Sequence, residues 1–186
     1  MRKPPRQRPP SKAGEDRAPL DADAARGRAL KLLSRREHSA AELSHKLQRR
    51  GAEADVAREA VARMQDAGWQ SDERYAEMLV RSRVAQGYGP LRIRADLAAA
   101  GVSDAGARAA LAAADCDWPA LCAELRARKF RNAPRAAADW QKQYRYLASH
   151  GFAADAIRAA LKAAVAASAD DASSAPAADD WEFPEE

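Results

Sequence analysis

The chain has 186 residues, among them 49 alanines but only six valines, two isoleucines and no threonine. Strands draw on β-branched and aromatic side chains and alanine is the strongest helix former, so this balance excludes a β-sandwich or barrel and predicts an all-α fold. The net charge of +4 hides a division: residues 1–20 carry six basic and two acidic side chains, residues 165–186 carry seven acidic and none basic, and the part between stands at +7.

Proline marks the same boundaries. Five of the ten fall in the first twenty residues and two in the last eleven, while Pro90, Pro119 and Pro134 each precede a helix-forming run, where proline is tolerated. The expected plan is a disordered basic arm over 1–20, a folded body over 21–164 and a disordered acidic tail over 165–186. A basic body suits a polyanionic partner, nucleic acid first. No apolar run reaches the roughly 18 residues that span a bilayer and the N-terminus has no signal-peptide core, so the expectation is a cytoplasmic protein without membrane contact.

The body repeats. Gly51, Gly101 and Gly151 are fifty residues apart, and aligning on them superposes Leu47, Leu97 and Leu147, then Arg58, Arg108 and Arg158, Ala60, Ala110 and Ala160, and Val61, Leu111 and Leu161. A shared glycine between two helical runs is what a left-handed helix C-cap requires. The predicted units are 21–68, 69–115 and 116–164, each of three helices.

In the first unit a helix over 22–35 has Ala29, Leu30 and Leu33 on its apolar side. Ser39 and Glu42 have the spacing of a capping box, with the glutamate reaching back to the cap, and open a helix that buries Leu43 and Leu47 and runs to Arg50. A third helix over 53–67 carries Val56, Ala60, Val61 and Met64 and ends at Gly68. In the second unit Ser71 precedes Asp72 and Glu73, and the stripe Tyr75, Ala76, Leu79, Val80 and Val84 marks a core helix. Gly87-Tyr88-Gly89-Pro90 stops it and starts a helix burying Ile93 and Leu97, followed by one from Ser103 centred on Ala107 and Leu111. The third unit begins at Trp118-Pro119 with Leu121 and Leu125, continues through Phe130, Asn132 and Pro134 to a helix with Trp140, Tyr144 and Leu147, and closes with Ile157 and Leu161. About nine helices in an elongated tandem array follow, offering a long side surface rather than one deep pocket.

Enzyme chemistry finds little support. The glycines stand singly at helix ends, so there is no phosphate loop, and His38, His45 and His150 pair with no carboxylate or cysteine at metal or triad spacing. Glu42, Glu59 and Glu77 each precede a base by four residues (Lys46, Arg63, Arg81), which makes them salt-bridge partners. Cys116 and Cys122 lack zinc-site spacing and read as reduced thiols, buried or half buried. No cofactor and no metal are expected. What accumulates is arginine: Lys46, Arg49 and Arg50 lie opposite Leu43 and Leu47, Arg74 and Arg81 share a helix face, and Arg83, Arg92 and Arg94 flank the Tyr88 turn. Arginine offers a bidentate fork to phosphate or carboxylate, and the grouping around the junction of units one and two favours a binding surface there. Trp69 and Tyr88 lie in turns, where an aromatic ring either contacts a partner or covers a helix junction.

Arg35-Arg36-Glu37-His38-Ser39 with Glu42-Leu43, Lys46-Leu47 and Gly51, then Asp72-Glu73-Arg74-Tyr75-Ala76, Arg81-Ser82-Arg83 and Gly87-Tyr88-Gly89-Pro90 with Arg92-Ile93, and finally Tyr144 to Leu147 with His150-Gly151-Phe152, resemble the bacterial regulatory RecX family over about residues 25–163. The resemblance implies a tandem three-helix-repeat monomer that lies in the groove of the RecA filament on single- or double-stranded DNA. It implies inhibition of recombinase and ATPase activity without sequence preference, with Arg35 and Arg36 joining the basic residues above as contacts. The alternative is a helix-turn-helix-like transcription regulator that binds DNA without RecA, although three similar units do not look like one recognition helix of a symmetric dimer.

Overall fold

The computed structural model describes residues 19–173. Among them it holds nine helices: α1 (Ala22–Leu33), α2 (Ala40–Gln48), α3 (Ala54–Asp66), α4 (Asp72–Ala85), α5 (Pro90–Ala99), α6 (Asp104–Ala113), α7 (Trp118–Lys129), α8 (Ala137–Ser149) and α9 (Ala154–Ser173). The one β-type pairing among the described residues is an isolated parallel bridge between Leu20 and Ala52. The all-α expectation and the three-by-three helix plan both hold.

Each triplet packs on itself: α1 and α2 against α3, α4 and α5 against α6, α7 and α8 against α9. The fifty-residue alignment explains why. Leu47, Leu97 and Leu147 are all fully buried, as are Ala60, Ala110 and Ala160 within a few per cent, and Gly51, Gly101 and Gly151 all take positive φ, at 97°, 79° and 87°. A left-handed residue lets the chain double back from the second helix to the third, and glycine does this without a Cβ clash. Arg58 and Arg108 at the equivalent surface position stay exposed and pair with Asp55 and Asp104 on their own helices.

The chain divides after Ser71 into two compact units. The first is repeat one, with a core of Ala25, Ala29, Leu43, Leu47, Ala57, Ala60, Val61 and Met64. Asp21 caps α1 by accepting from the Ala24 N–H at 2.8 Å, and the Leu20 N–H donates to the Gly51 carbonyl at 2.9 Å, which ties the start of the unit to the turn after α2. The second unit holds repeats two and three together. Its two clusters are centred on Val80, Ile93 and Leu97, and on Cys122, Leu147, Ile157 and Leu161.

Several local expectations shift. On α1 the alanines turn inward, Ala25 and Ala29 being fully buried, whereas Leu30 is 39% exposed. On α8 Trp140 and Tyr144 are half-buried at the edge, and Gln143 takes the core-facing position one helical step away. Helix α9 runs to Ser173, past the boundary expected at 164, because Ala163-Ala164-Val165-Ala166-Ala167 continues a strong helix-forming run. The expected basic arm, up to residue 18, and the end of the acidic tail, from 174, lie outside the described residues.

Candidate functional site

Seven residues of the first unit line an open groove of about 480 Å³: Arg28, Lys31, Leu32 and Arg35 from α1 and the turn after it, Lys46 from α2, and Arg49 and Arg50 just past its end. Six of the seven are basic and none is acidic. The two sets follow from helical spacing, since Arg28 and Lys31 share a face of α1 with Arg35 in the turn just after it, and Lys46 lies one turn before Arg49 and Arg50 at the end of α2. Placing cations at and beyond the C-terminal ends of both helices also suits the negative end of each helix dipole.

What separates this groove from an ordinary solvated face is its pairing. Among the described residues, the side chains of Arg28, Lys31, Arg35, Arg49 and Arg50 meet no hydrogen-bond or ion-pair partner. Five uncompensated cations held against one another repel, and an anion that enters the groove removes that repulsion as well as gaining direct contacts. Arginine forks and lysine point charges together match a row of phosphates.

Behind the groove lies a charged knot. Glu42 accepts from Arg36 Nη2 at 2.5 Å and Nη1 at 3.2 Å, contacts Lys46 Nζ at 2.8 Å, and meets His38 Nδ1 at 3.0 Å. Burial alone would raise the Glu42 carboxyl, but the hydrogen bonds from Arg36, Lys46 and His38 overcome it and hold it down at about 2. For His38, which is 2% exposed, burial outweighs the pull of Glu42 and lowers its pKa from 6.5. His38, expected to pair with no carboxylate at metal or triad spacing, does meet one in Glu42, but that partner sits one helical turn away across a cap, a spacing that fits neither pattern. Ser39 Oγ accepts from the Glu42 N–H at 3.0 Å as a capping residue should, while the Glu42 carboxylate serves the knot. The His38 carbonyl accepts from the buried Gln70 amide at 3.1 Å, fastening the end of the first unit to the start of α2.

The second-unit arginines are placed differently. Arg81 lies 3.8 Å from Glu77, Arg83 donates to Asp96 at 2.6 Å, Arg92 to the other oxygen of Asp96 at 3.2 Å, and Arg94 to Asp104 at 2.6 Å. Each therefore lies against an acid, with Arg83 and Arg92 sharing Asp96 and Arg94 sharing Asp104 with Arg108. Arg74 is exposed near the start of α4. Of the basic residues expected at the junction, Arg35, Arg36, Lys46, Arg49 and Arg50 belong to the first compact unit and Arg74, Arg81, Arg83, Arg92 and Arg94 to the second. The Glu42–Lys46, Glu59–Arg63 and Glu77–Arg81 bridges all form, at 2.8, 2.6 and 3.8 Å.

Tyr88 is built into a joint between repeats two and three. Its ring stacks on His150 with centroids 5.5 Å apart and planes at 21°, and the Arg83 and Arg92 guanidinium carbons lie 5.7 and 5.8 Å from its centroid. The backbone completes the joint: the Gly89 N–H donates to the His150 carbonyl at 2.7 Å and the Leu91 N–H to the Gly151 carbonyl at 3.0 Å. A Cβ on Gly89 would come within 2.4 Å of the Gly151 oxygen, so the turn approaches closely enough to demand glycine. Trp69, the other turn aromatic, is 60% exposed.

Sequence reasoning missed Arg28 and Lys31. Their spacing to Arg35 is visible in the sequence, but the apolar residues of α1 define only its inward side and say nothing of what the outward side faces. Cys122 is buried and Cys116 half-buried, both as free thiols, and burial pushes Cys122 up to about 11, which leaves it an unreactive core residue. Among the described residues no cluster of three His, Cys, Asp or Glu side chains is arranged to hold a metal, and no helix is long and apolar enough to cross a membrane.

Family models for the first, second and third three-helix domains of RecX match residues 25–64, 71–111 and 116–161. Proteins named Regulatory protein RecX from Xanthomonas axonopodis pv. citri (strain 306) and Stenotrophomonas maltophilia (strain K279a) are 46% and 44% identical over 136 residues, which is 73% of this chain and 84% and 83% of theirs. The crystal structure of RecX from Lactobacillus salivarius superposes with a TM-score of 0.67 at 23% identity, over 78% of this chain and 97% of that one. A second crystal structure of a regulatory protein RecX gives 0.65 at 22% identity, over 74% and 70%. These two share the fold.

Proposed function

The chain belongs to the RecX family, and from that premise we propose that it regulates the RecA recombinase, binding the RecA filament on DNA and lowering its ATP hydrolysis and strand exchange. The observation that carries this reading is the α1–α2 groove, where five cations converge without a counter-charge among the described residues. A regulator that settles on a nucleoprotein filament meets a dense row of phosphates, and a groove of unpaired arginines binds these without reading base sequence. Arg83, Arg92 and Tyr88, in this reading, hold repeats two and three in register, and the partner is met by the first-unit set of Arg35, Lys46, Arg49 and Arg50 together with Arg28 and Lys31. Linked weak contacts suffice, because each raises the effective concentration of the next.

The test is RecA-driven ATP hydrolysis and strand exchange on DNA with the protein added. Wild type should slow both, and the variant Arg35→Glu, Arg49→Glu, Arg50→Glu should lose most of that inhibition with its helical circular dichroism unchanged, because these side chains are exposed and none is in an ion pair among the described residues. Inhibition that survives the triple reversal would overturn the groove as the contact, and no inhibition by wild type at molar excess would overturn the regulatory reading. Reversing Arg83 and Arg92 is the wrong probe, since it breaks the Asp96 pairs and loosens the joint. Tight sequence-selective binding to duplex DNA without RecA would instead support a transcription regulator.

A further inference from the structure

Repeat three, in the other compact unit, contains a second basic concavity. About 320 Å³ in volume, it is lined by Lys129, Arg131, Arg135 and Lys142, together with the exposed Asn132 and the buried Gln143. Phe130 and Ala133 also line it, as does one carboxylate, Asp139, which accepts from the Arg135 and Ala136 N–H groups at 3.4 Å. Among the described residues, the side chains of Arg131, Arg135 and Lys142 meet no hydrogen-bond or ion-pair partner, and Lys129 Nζ rests 5.5 Å from the Tyr146 ring centroid.

A buried cation is bonded to two of the lining residues. Arg126, on α7, is only 8% exposed, and it donates to Gln143 Oε1 at 3.0 Å and to the Asn132 carbonyl. Gln143 Nε2 donates to the same carbonyl at 3.2 Å. The acceptors of Arg126 are therefore neutral oxygens of two residues that themselves line the concavity, and among the described residues no carboxylate pairs with it. Gln143 corresponds to Ile93 of repeat two by the fifty-residue spacing, and Arg126, the ninth residue of α7, corresponds to Val80, the ninth of α4; both counterparts are buried and apolar, so repeat three has exchanged core hydrophobes for a buried cation and its amide support. A buried arginine without a counter-charge is costly to the fold, and an anion in the concavity would supply the missing charge.

We infer that this concavity is a second phosphate site, which takes a phosphodiester of the nucleic-acid backbone and gives the second compact unit its own hold on DNA. The inference rests on the reading of the chain as a protein that works on DNA, and it extends that reading to a different unit and different residues. Nucleic acid is favoured over an acidic protein surface because the lining is four long cations with no exposed aromatic anchor of the kind protein interfaces use, Phe130 being turned edge-on to Tyr146 at 5.3 Å.

The test uses the full chain and a labelled oligothymidylate of about thirty nucleotides, without RecA, titrated between about 50 and 200 mM salt. The variant Arg131→Gln, Arg135→Gln, Lys142→Gln should bind about tenfold more weakly, with a salt slope shallower by about 0.7 for each phosphate it no longer neutralises, and Arg131→Lys, Arg135→Lys should keep most of the affinity. Should the triple variant fold poorly, acetylation footprinting of wild type decides: the oligonucleotide should shield Lys129 and Lys142. Unchanged affinity and slope, or lysines acetylated equally with and without DNA, overturn the site. If RecA is still inhibited in that case, the regulatory reading stands and the concavity alone falls; shielded lysines in a protein that leaves RecA untouched would be the reverse.

Discussion

Gly151→Ala should cost about 3 kcal/mol or more, the sum of two independent penalties at one position. At φ 87° an L-residue pays roughly 1–2 kcal/mol for its Cβ against the following carbonyl. That Cβ would also stand 2.4 Å from the backbone nitrogen and the Cβ of Arg92, atoms with no rotamer to escape into, and such overpacking adds roughly 1–3 kcal/mol. At roughly 2–4 °C per kcal/mol for a chain of this size, the melting temperature followed by circular dichroism should fall by about 10 °C.

Three other glycines set the scale. Gly89→Ala should be severe without any φ penalty, because its Cβ meets the Gly151 oxygen, carbon and the Phe152 nitrogen at 2.4, 2.6 and 2.7 Å. Gly68→Ala, at φ 71° with nothing within 4 Å, should cost only the backbone strain of roughly 1–2 kcal/mol. Gly27→Ala, inside α1 and equally open, should stabilise by roughly 0.5–1 kcal/mol. A Gly151→Ala protein as stable as wild type would mean that the Gly89–Gly151 joint is not what holds repeats two and three together.

The same joint shows why the fold is more legible in sequence than the site. Fifty-residue periodicity and the capping glycines expose themselves because each repeat obeys local rules: Leu47, Leu97 and Leu147 are buried by helical phase alone. Gly87-Tyr88-Gly89-Pro90 also stands out in sequence, but its partner, His150-Gly151, lies about one repeat further on, and nothing local says that the two turns meet. The arginines mislead for a related reason. Arg83 and Arg49 look alike in sequence, yet Asp96 pairs with the first from thirteen residues away while the second meets no acid among the described residues. A basic site depends on where the acids are absent, which is a property of three-dimensional arrangement. The polar exchange in repeat three is hidden in the same way, because Gln143 lies between Trp140 and Tyr144, whose larger apolar surfaces point a sequence reading to a different helical phase.

Glu42→Gln should cost up to about 3 kcal/mol at neutral pH, and the cost should vanish in acid. The carboxyl titrates near 4.5 in the unfolded chain and at about 2 in the fold, so the unfolded state binds the proton first as pH falls. Its stabilisation is complete above about pH 4.5 and is lost progressively down to about pH 2, and a shift of this size corresponds to roughly 3 kcal/mol, an upper figure because the side chain is 24% exposed. His38 acts in the same direction at higher pH: burial holds its folded pKa below 6.5, so the unfolded chain takes up the proton first and stability declines as pH falls below 6.5. Removing Glu42 takes away the group that pulls His38 upward, which deepens this limb. Urea denaturation of wild type and variant at pH 7, 5 and 3 separates the contributions, and a difference that stays constant over that range would contradict the knot. The substitution also tests how the groove works. Glutamine deletes the negative charge beside Lys46, so electrostatics alone should tighten polyanion binding. Weaker binding by a folded Glu42→Gln protein would mean instead that Glu42 serves by aiming Lys46 into the groove, a matter of orientation rather than charge.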